Sequence, residues 1–349
     1  MSLALSLLAL SFLIFFHELG HFLVARAFGV KVEVFSIGFG KKLIAKTYKG
    51  TQYTLSLIPL GGYVKMKGQN DSDPLEQSSD TDSYTSKAPW QRICILLAGP
   101  LFNILLAFFI YSSLSFGDKQ VLLPILGEIK EGYPASEVGL KSGDQILSIN
   151  GEKMRTWREM AEIIASSPSL SLQVKRENQI LSFSLQSKEV EGKNIFGESK
   201  KHYVIGVGAK GEFGSMHFGV LEALKNGAIS TYENSTLIVE GIKKLIVGVV
   251  PTSEVGGVVS IVQVMHKASE SGWISFALLV ALISINLGVL NLLPIPALDG
   301  GHILFNLYEM VTRKPPSVNM LYYLTIGGWA VLLGLMLLGL YNDLHRILL

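Results

Sequence analysis

The residues with the types and spacing to do metal chemistry stand together near the start of the chain: His17, Glu18 and His21, in the run His-Glu-Leu-Gly-His. On an α-helix each residue turns about 100°, so positions 17 and 21 fall about 40° apart on one face. Two imidazoles so placed can share one Zn2+, and a carboxylate one step round can reach a water on the metal. The same five letters also occur by chance in exposed helices. Here they lie inside an apolar stretch from Leu3 to Phe28, long enough to cross a bilayer. Ionisable side chains at that depth are costly and point to function.

A catalytic zinc needs a third protein ligand, with the fourth position kept for water. His202, His217, His266, His302, His345 and any buried carboxylate are candidates, and Asp299 stands out among them. It closes the stretch Asn291-Leu-Leu-Pro-Ile-Pro-Ala-Leu-Asp299, where two prolines break a helix at the end of an apolar run. Broken backbone at membrane depth is tolerated where it lines a polar cavity. An aspartate placed there needs a positive partner. Two other readings stay open: Asp299 as the N-cap of a helix starting near His302, and His302 as the ligand. The single cysteine, Cys94, excludes both a Cys-based metal site and a disulfide framework.

The elements that must position these residues are membrane elements. Of 349 residues 49% are hydrophobic and 17% charged, which favours a helical membrane protein. A net charge of +2 with no basic stripe gives no support to nucleic-acid binding. No basic residue precedes the first apolar run, and Arg26 is the first cation, so residues 1–30 read as a transmembrane helix and not a secretory signal. Further spans are expected at 92–116, containing Asn103; at 273–312, containing Asn286, Asn291 and the broken Leu-Asp-Gly segment; and at 320–342.

Between the spans, 31–68 reads as a small membrane-associated β-sheet with turns at Gly38-Phe-Gly40, Lys49-Gly50 and Pro59-Leu-Gly61. Residues 69–91 read as a polar loop, 119–210 as a domain of soluble composition, and 215–250 as an amphipathic helix suited to a membrane surface. Lysine and arginine are absent before the first span, number ten over 26–92, and recur at Arg313 and Lys314. That asymmetry predicts a cytoplasmic sheet, both termini and the 119–210 domain outside, and a metal toward the cytoplasmic leaflet. Gly206-Val-Gly-Ala-Lys-Gly211 fits GxGxxG, but no helix pattern opens behind it and it reads as a loop. No phosphate-binding loop and no GxSxG elbow is present, so nucleotide hydrolysis and a serine nucleophile have no support.

Taken together, HELGH at 17–21, IPLGGYVKM at 58–66, AGPLFN at 98–103, NLGVLNLLPIPALDGG at 286–301 and the insert between the second and third spans resemble the site-2 proteases. The resemblance is to their bacterial RseP-type branch and covers essentially the whole chain. It implies an α-helical membrane protein with four transmembrane helices, a small membrane-associated β-sheet and one inserted PDZ domain. It implies an intramembrane zinc metalloprotease of a bacterial cytoplasmic (inner) membrane, cutting within or near the transmembrane segments of single-span membrane proteins. Anti-sigma factors and leftover signal peptides are substrates of that kind. By the same resemblance His17, His21 and Asp299 hold one Zn2+ per chain and Glu18 is the general base. Asn291, Asn286 and Asn103 would hold substrate or the developing oxyanion, Asn103 as the polar residue of the second-span motif. Hydrogen bonding between helices is the competing reading for these asparagines.

Gly132-Tyr-Pro-Ala135, Gly139-Leu-Lys-Ser-Gly-Asp144 and Ile146-Leu-Ser-Ile-Asn-Gly151 resemble bacterial PDZ domains, which implies an extracytoplasmic peptide or C-terminus bound at a sheet edge. Better-known members of this branch often carry two such domains, and this chain has room for one. The alternative function is non-catalytic: a membrane zinc-binding transporter, or a PDZ scaffold with a structural metal. A transporter should show an internal repeat and more polar spans, and a closed structural site a fourth protein ligand. The sequence displays neither.

Overall fold

In the computed structural model of the chain, residues 2–69 and 80–348 are described; the expected polar loop at 69–91 thus lies partly outside them. The chain divides into two compact units, one of Met1–Leu114 with Ala223–Leu349 and one of Ser115–Glu222.

The first unit opens with α1 (Ser2–Ala27), a run free of proline that ends before Gly29 at φ +72°. Apart from the His17-Glu18-Leu-Gly-His21 segment and Arg26 it is largely apolar, with Leu8, Phe12 and Leu23 exposed. Strands β1 (Val32–Tyr48) and β2 (Thr51–Met66) follow and pair antiparallel. Both are bent. Gly38 and Gly40 take positive φ, as do Gly50 and Gly61, so the four glycines sit where the chain changes direction. As a result Val34–Ile37 has two sets of partners, Gly62–Lys65 on one side and Gln52–Leu55 on the other. The 62–66 stretch is left as an edge. Helix α2 (Pro89–Ser115) starts on a proline, whose missing N–H costs nothing at a helix start.

The second unit holds β3 (Gly117–Leu122), β4 (Leu126–Ile129), α3 (Pro134–Glu137), β5 (Gln145–Ile149), β6 (Glu152–Lys153), α4 (Trp157–Ser166), β7 (Ser169–Arg176), β8 (Gln179–Gln186), β9 (Lys188–Lys193), β10 (Ser199–Val204), β11 (Val207–Ala209) and β12 (Phe213–Phe218). Strands β6-β5-β7-β8 form an antiparallel sheet, with β4 paired to β11, β9 to β10 and β3 to β12. Alternation in β7 turns Leu170, Leu172 and Val174 inward, and they meet Leu126, Ile146, Ile149 and Met160 in one core. Thr156 and Glu159 cap α4 reciprocally.

Returning to the first unit, the chain forms α5 (Val220–Ile246), α6 (Val258–Glu270), α7 (Trp273–Asn291), α8 (Asp299–Thr312) and α9 (Val318–Leu348). Among the described residues four helices are long and apolar enough to cross a membrane: Ala4–Ala27, Pro89–Ser115, Trp273–Asn291 and Val318–Leu348. Leu13 of α1, Leu106 of α2, Met265 of α6 and Val280 of α7 share one buried cluster. Of the apolar stripe of α5, Leu221, Tyr232, Val239 and Ile246 are exposed, while Ile242 packs against the cluster of Ala107, Tyr111 and Ile285. The small-residue row Ala223, Gly227 and Thr231 is buried, and Gly227 lets the helix approach Ser112 of α2. Helix α6 had no counterpart in the sequence reading. Its first backbone N–H groups, from Gly257, Val259 and Ser260, donate to the Asp343 carboxylate of α9 at 3.0–3.2 Å.

Candidate metal centre

Helix α1 carries His17, Glu18 and His21 to one place, and the first residue of α8, Asp299, meets them there. The Nε2 atoms of His17 and His21 are 3.2 Å apart, and Asp299 Oδ2 lies 3.3 Å from the first and 3.5 Å from the second. Both histidines are buried. Asp299 Oδ2 is buried as well and has no hydrogen-bond partner, while the two Nε2 atoms lie within hydrogen-bond distance of each other, so the three atoms converge on a common point. A tetrahedral zinc with ligand bonds of about 2.0–2.1 Å requires ligand atoms about 3.3–3.4 Å apart. The three observed separations fit that ion. Among the described residues this is the one group of three or more such side chains able to hold a metal.

The local sequence explains how α8 reaches the site. Pro294 and Pro296 end helical propagation after Asn291, and a tight segment turns through Ile295 N–H to Leu293 O (2.7 Å) and Leu298 N–H to Ile295 O (2.8 Å). A Cβ at Gly300 or Gly301 would overlap the carbonyls of that turn, so the two glycines let α8 begin directly against it. Leu298 occupies the N-cap position without a side-chain cap bond, which leaves the Asp299 carboxylate free of capping duty. The far end of α8 is tied by Arg92 of α2, which donates to Glu309 at 2.7 Å.

Helix α2 supports both imidazoles from behind. The Nδ1–H of His21 donates to Ile95 O at 2.8 Å, and Asn103 Nδ2 lies 3.4 Å from His17 Nδ1. Metal-bound histidines characteristically bond a partner through the other ring nitrogen. Beside the metal residues is a cavity of about 340 Å3, into which Glu18, Asn291, His302 and, from α9, Thr325 and Trp329 open. The edge stretch of β2 forms another wall through Gly62, Tyr63, Val64 and Met66. A Cβ on Gly62 would lie 3.5 Å from Glu18 Cγ, so the strand passes directly beside that side chain.

Of the asparagines singled out in the sequence, Asn291 lines this cavity, Asn103 is fully buried behind His17, and Asn286 is exposed on α7 and does not line it. His302 lines the cavity but is not in the ligand group. The other histidines lie elsewhere: His217 beside Asp118 (3.0 Å), His266 beside Glu270 (3.8 Å), His345 against Tyr341, and His202 in the second unit. Sequence reasoning missed Gly99 and the Ile95 carbonyl, whose parts are set by the contact between α1 and α2, and Gly62, whose part is set by the contact of β2 with α1. In the second unit a groove of about 560 Å3 runs between Trp157, Met160 and Ile164 of α4 and the segment Tyr203–Gly208.

Four apolar helices around a His-Glu-x-x-His site completed by an aspartate define a class of protein, the membrane zinc metalloproteases. The chain belongs to Peptidase family M50, the site-2 proteases, which it matches over residues 5–335. It is 47% identical over 343 residues to a protein of Campylobacter jejuni, covering 98% of this chain and 93% of that one. It is 42% identical to a protein of Helicobacter pylori strain J99 (98% and 99% covered) and 35% identical to one of Rickettsia conorii (98% and 98%). Each of these relatives is named "Putative zinc metalloprotease". The chain is a zinc metalloprotease of the site-2 type, and its His17, His21 and Asp299 form a group able to hold the metal.

Proposed function

We propose that the protein hydrolyses peptide bonds within or near the transmembrane segments of single-span membrane proteins in a bacterial inner membrane. The observation that carries this reading is the triangle of His17, His21 and Asp299 ligand atoms, 3.2–3.5 Å on a side, opening on a cavity that also holds Glu18. His17, His21 and Asp299 would hold the zinc, which would supply a Lewis acid for the scissile carbonyl and a water of lowered pKa. Glu18, which opens on the same cavity, would act as the general base that carries a proton from the attacking water to the leaving amine. Asn291, on the same cavity, offers its amide N–H to a substrate carbonyl.

A transmembrane substrate helix has its carbonyls hydrogen-bonded internally and must unwind before it can be cut. The 62–66 edge of β2, beside Glu18, offers the unwound segment a strand to pair with. The second unit is read as a PDZ-like domain: its groove between α4 and β11 suits an extended peptide or C-terminus, and it screens substrates already trimmed outside the membrane. The distribution of lysine and arginine supports an orientation with both termini and this domain outside and the active site toward the cytoplasmic leaflet. Anti-sigma factors and remnant signal peptides are substrates of the proposed kind.

The test is cleavage of a single-span reporter by the purified full-length protein in liposomes. The wild type should cut the reporter and a chelator should stop it, while Glu18→Gln should retain zinc and cut nothing. A wild type that holds zinc yet cleaves no membrane substrate would support a structural metal in a transporter or scaffold instead.

A further inference from the structure

Asn103 is 0% exposed and does not line the cavity into which Glu18 and Asn291 open. Its side chain does reach His17. Its amide nitrogen is 3.4 Å from His17 Nδ1, and its Oδ1 is buried without a hydrogen-bond partner. The backbone is held firmly: Ser284 of α7, itself fully buried, donates its hydroxyl to Asn103 O at 2.7 Å.

The chemistry of the ring decides what this contact must be. Both histidines turn Nε2 toward Asp299, so a metal held there takes the Nε2 lone pair. A neutral imidazole using Nε2 in this way carries its proton on Nδ1, which is then a donor. Buried donors need acceptors. His21 has one in Ile95 O. At His17 the neighbouring group is the Asn103 amide, whose N–H would oppose another N–H. Turning the amide by 180° exchanges nitrogen for oxygen at nearly the same position and supplies the acceptor. The order of contacts, 17 with 103 and 21 with 95, is the one given by two antiparallel helices.

We infer that Asn103 is a positioning residue of the metal centre: its Oδ1 accepts the Nδ1–H of His17 and commits Nε2 to the metal. This departs from the place beside substrate that the sequence resemblance suggested. It rests on the reading of His17 as a ligand. Helix α2 thereby furnishes the acceptor for both imidazoles, one from a side chain and one from a main-chain carbonyl.

The experiment measures zinc affinity of the full-length protein in detergent, by metal analysis after equilibration with a graded chelator series. Asn103→Leu keeps the volume and removes the acceptor; Asn103→Asp keeps the acceptor. The Leu variant should bind zinc about 10–100-fold more weakly than the wild type, and the Asp variant within about threefold of it. Zinc binding by Asn103→Leu equal to the wild type would overturn the inference. So would an equal loss in both variants, which would mark Asn103 as a packing residue. A wild type that binds no zinc would instead defeat the reading of His17 on which the inference stands.

Discussion

Gly99 of α2 lies so close to His21 of α1 that a Cβ at position 99 would overlap the Nε2 and Cε1 of its ring. The same Cβ would stand 2.9 Å from Cε1 of His17. One missing side chain therefore admits both imidazoles, and the Ala98-Gly99-Pro100 stretch acquires a physical role as the floor of the candidate metal centre. Gly20, between the histidines, is its counterpart on α1, where a Cβ would come within 2.7 Å of the Ala98 carbonyl carbon. Small residues on both helices allow this close crossing.

Gly99→Ala and Gly20→Ala should fail differently. At position 99 the obstacle is the pair of rings, which must move off their common point, so bound zinc and cleavage should both fall while helix content is kept. At position 20 the obstacle is backbone, and separating the helices should cost about 1–3 kcal/mol of stability. Metal analysis and thermal unfolding of the two purified variants separate the outcomes.

Arg92 and Glu309 join α2 to α8 at 2.7 Å with side chains only 14% and 21% exposed. Glu309 lies on the helix that begins with Asp299. Removing one partner leaves a poorly hydrated charge, and Arg92→Met should cost about 2–3 kcal/mol. Zinc should also be released more readily as α8 loosens. Changing both residues to Met should recover part of the stability, because the stranded charge is gone. Chelator-induced zinc loss and thermal midpoints for the single and double variants check this.

In the second unit, burial pushes the Asp144 carboxyl up, but the Arg176 guanidinium (2.7 and 2.8 Å) and the Lys141 backbone N–H (2.8 Å) outweigh it. The carboxyl is held below the usual carboxylate range. A depressed folded value means that the stabilisation is present above the unfolded pKa of about 3.9 and is lost as pH falls through the folded value. Asp144→Asn should therefore lower stability at neutral pH and flatten the acid limb of the stability profile. Unfolding of wild type and variant followed from pH 7 downward tests it; parallel profiles would be the contrary result.

Features encoded within one turn or one strand were readable in the residues alone. The helical spacing of His17 and His21 is local, and so are the glycines at 38, 40, 50 and 61 that take positive φ where β1 and β2 bend. Asp299 was readable because Pro294 and Pro296 break an apolar run just before it. What depends on helix crossings was not. α2 is apolar all round, so nothing in its own sequence says which face meets the histidines or that Asn103 points at one of them. Helix α6 escaped notice because the carboxylate that caps it, Asp343, comes from α9, more than eighty residues later. Asn286 and Asn291 share one helix and one residue type, yet only the second lines the cavity, because α7 turns its two faces toward different surroundings.

The most direct measurement is X-ray absorption at the zinc edge on the purified full-length protein, wild type and Asp299→Ala. The expected wild-type result is one zinc per chain with only nitrogen and oxygen neighbours at about 2.0–2.1 Å, two of them imidazole, and an altered or vacated shell in the variant. A sulfur neighbour, or the same shell in both proteins, would contradict a centre built from His17, His21 and Asp299.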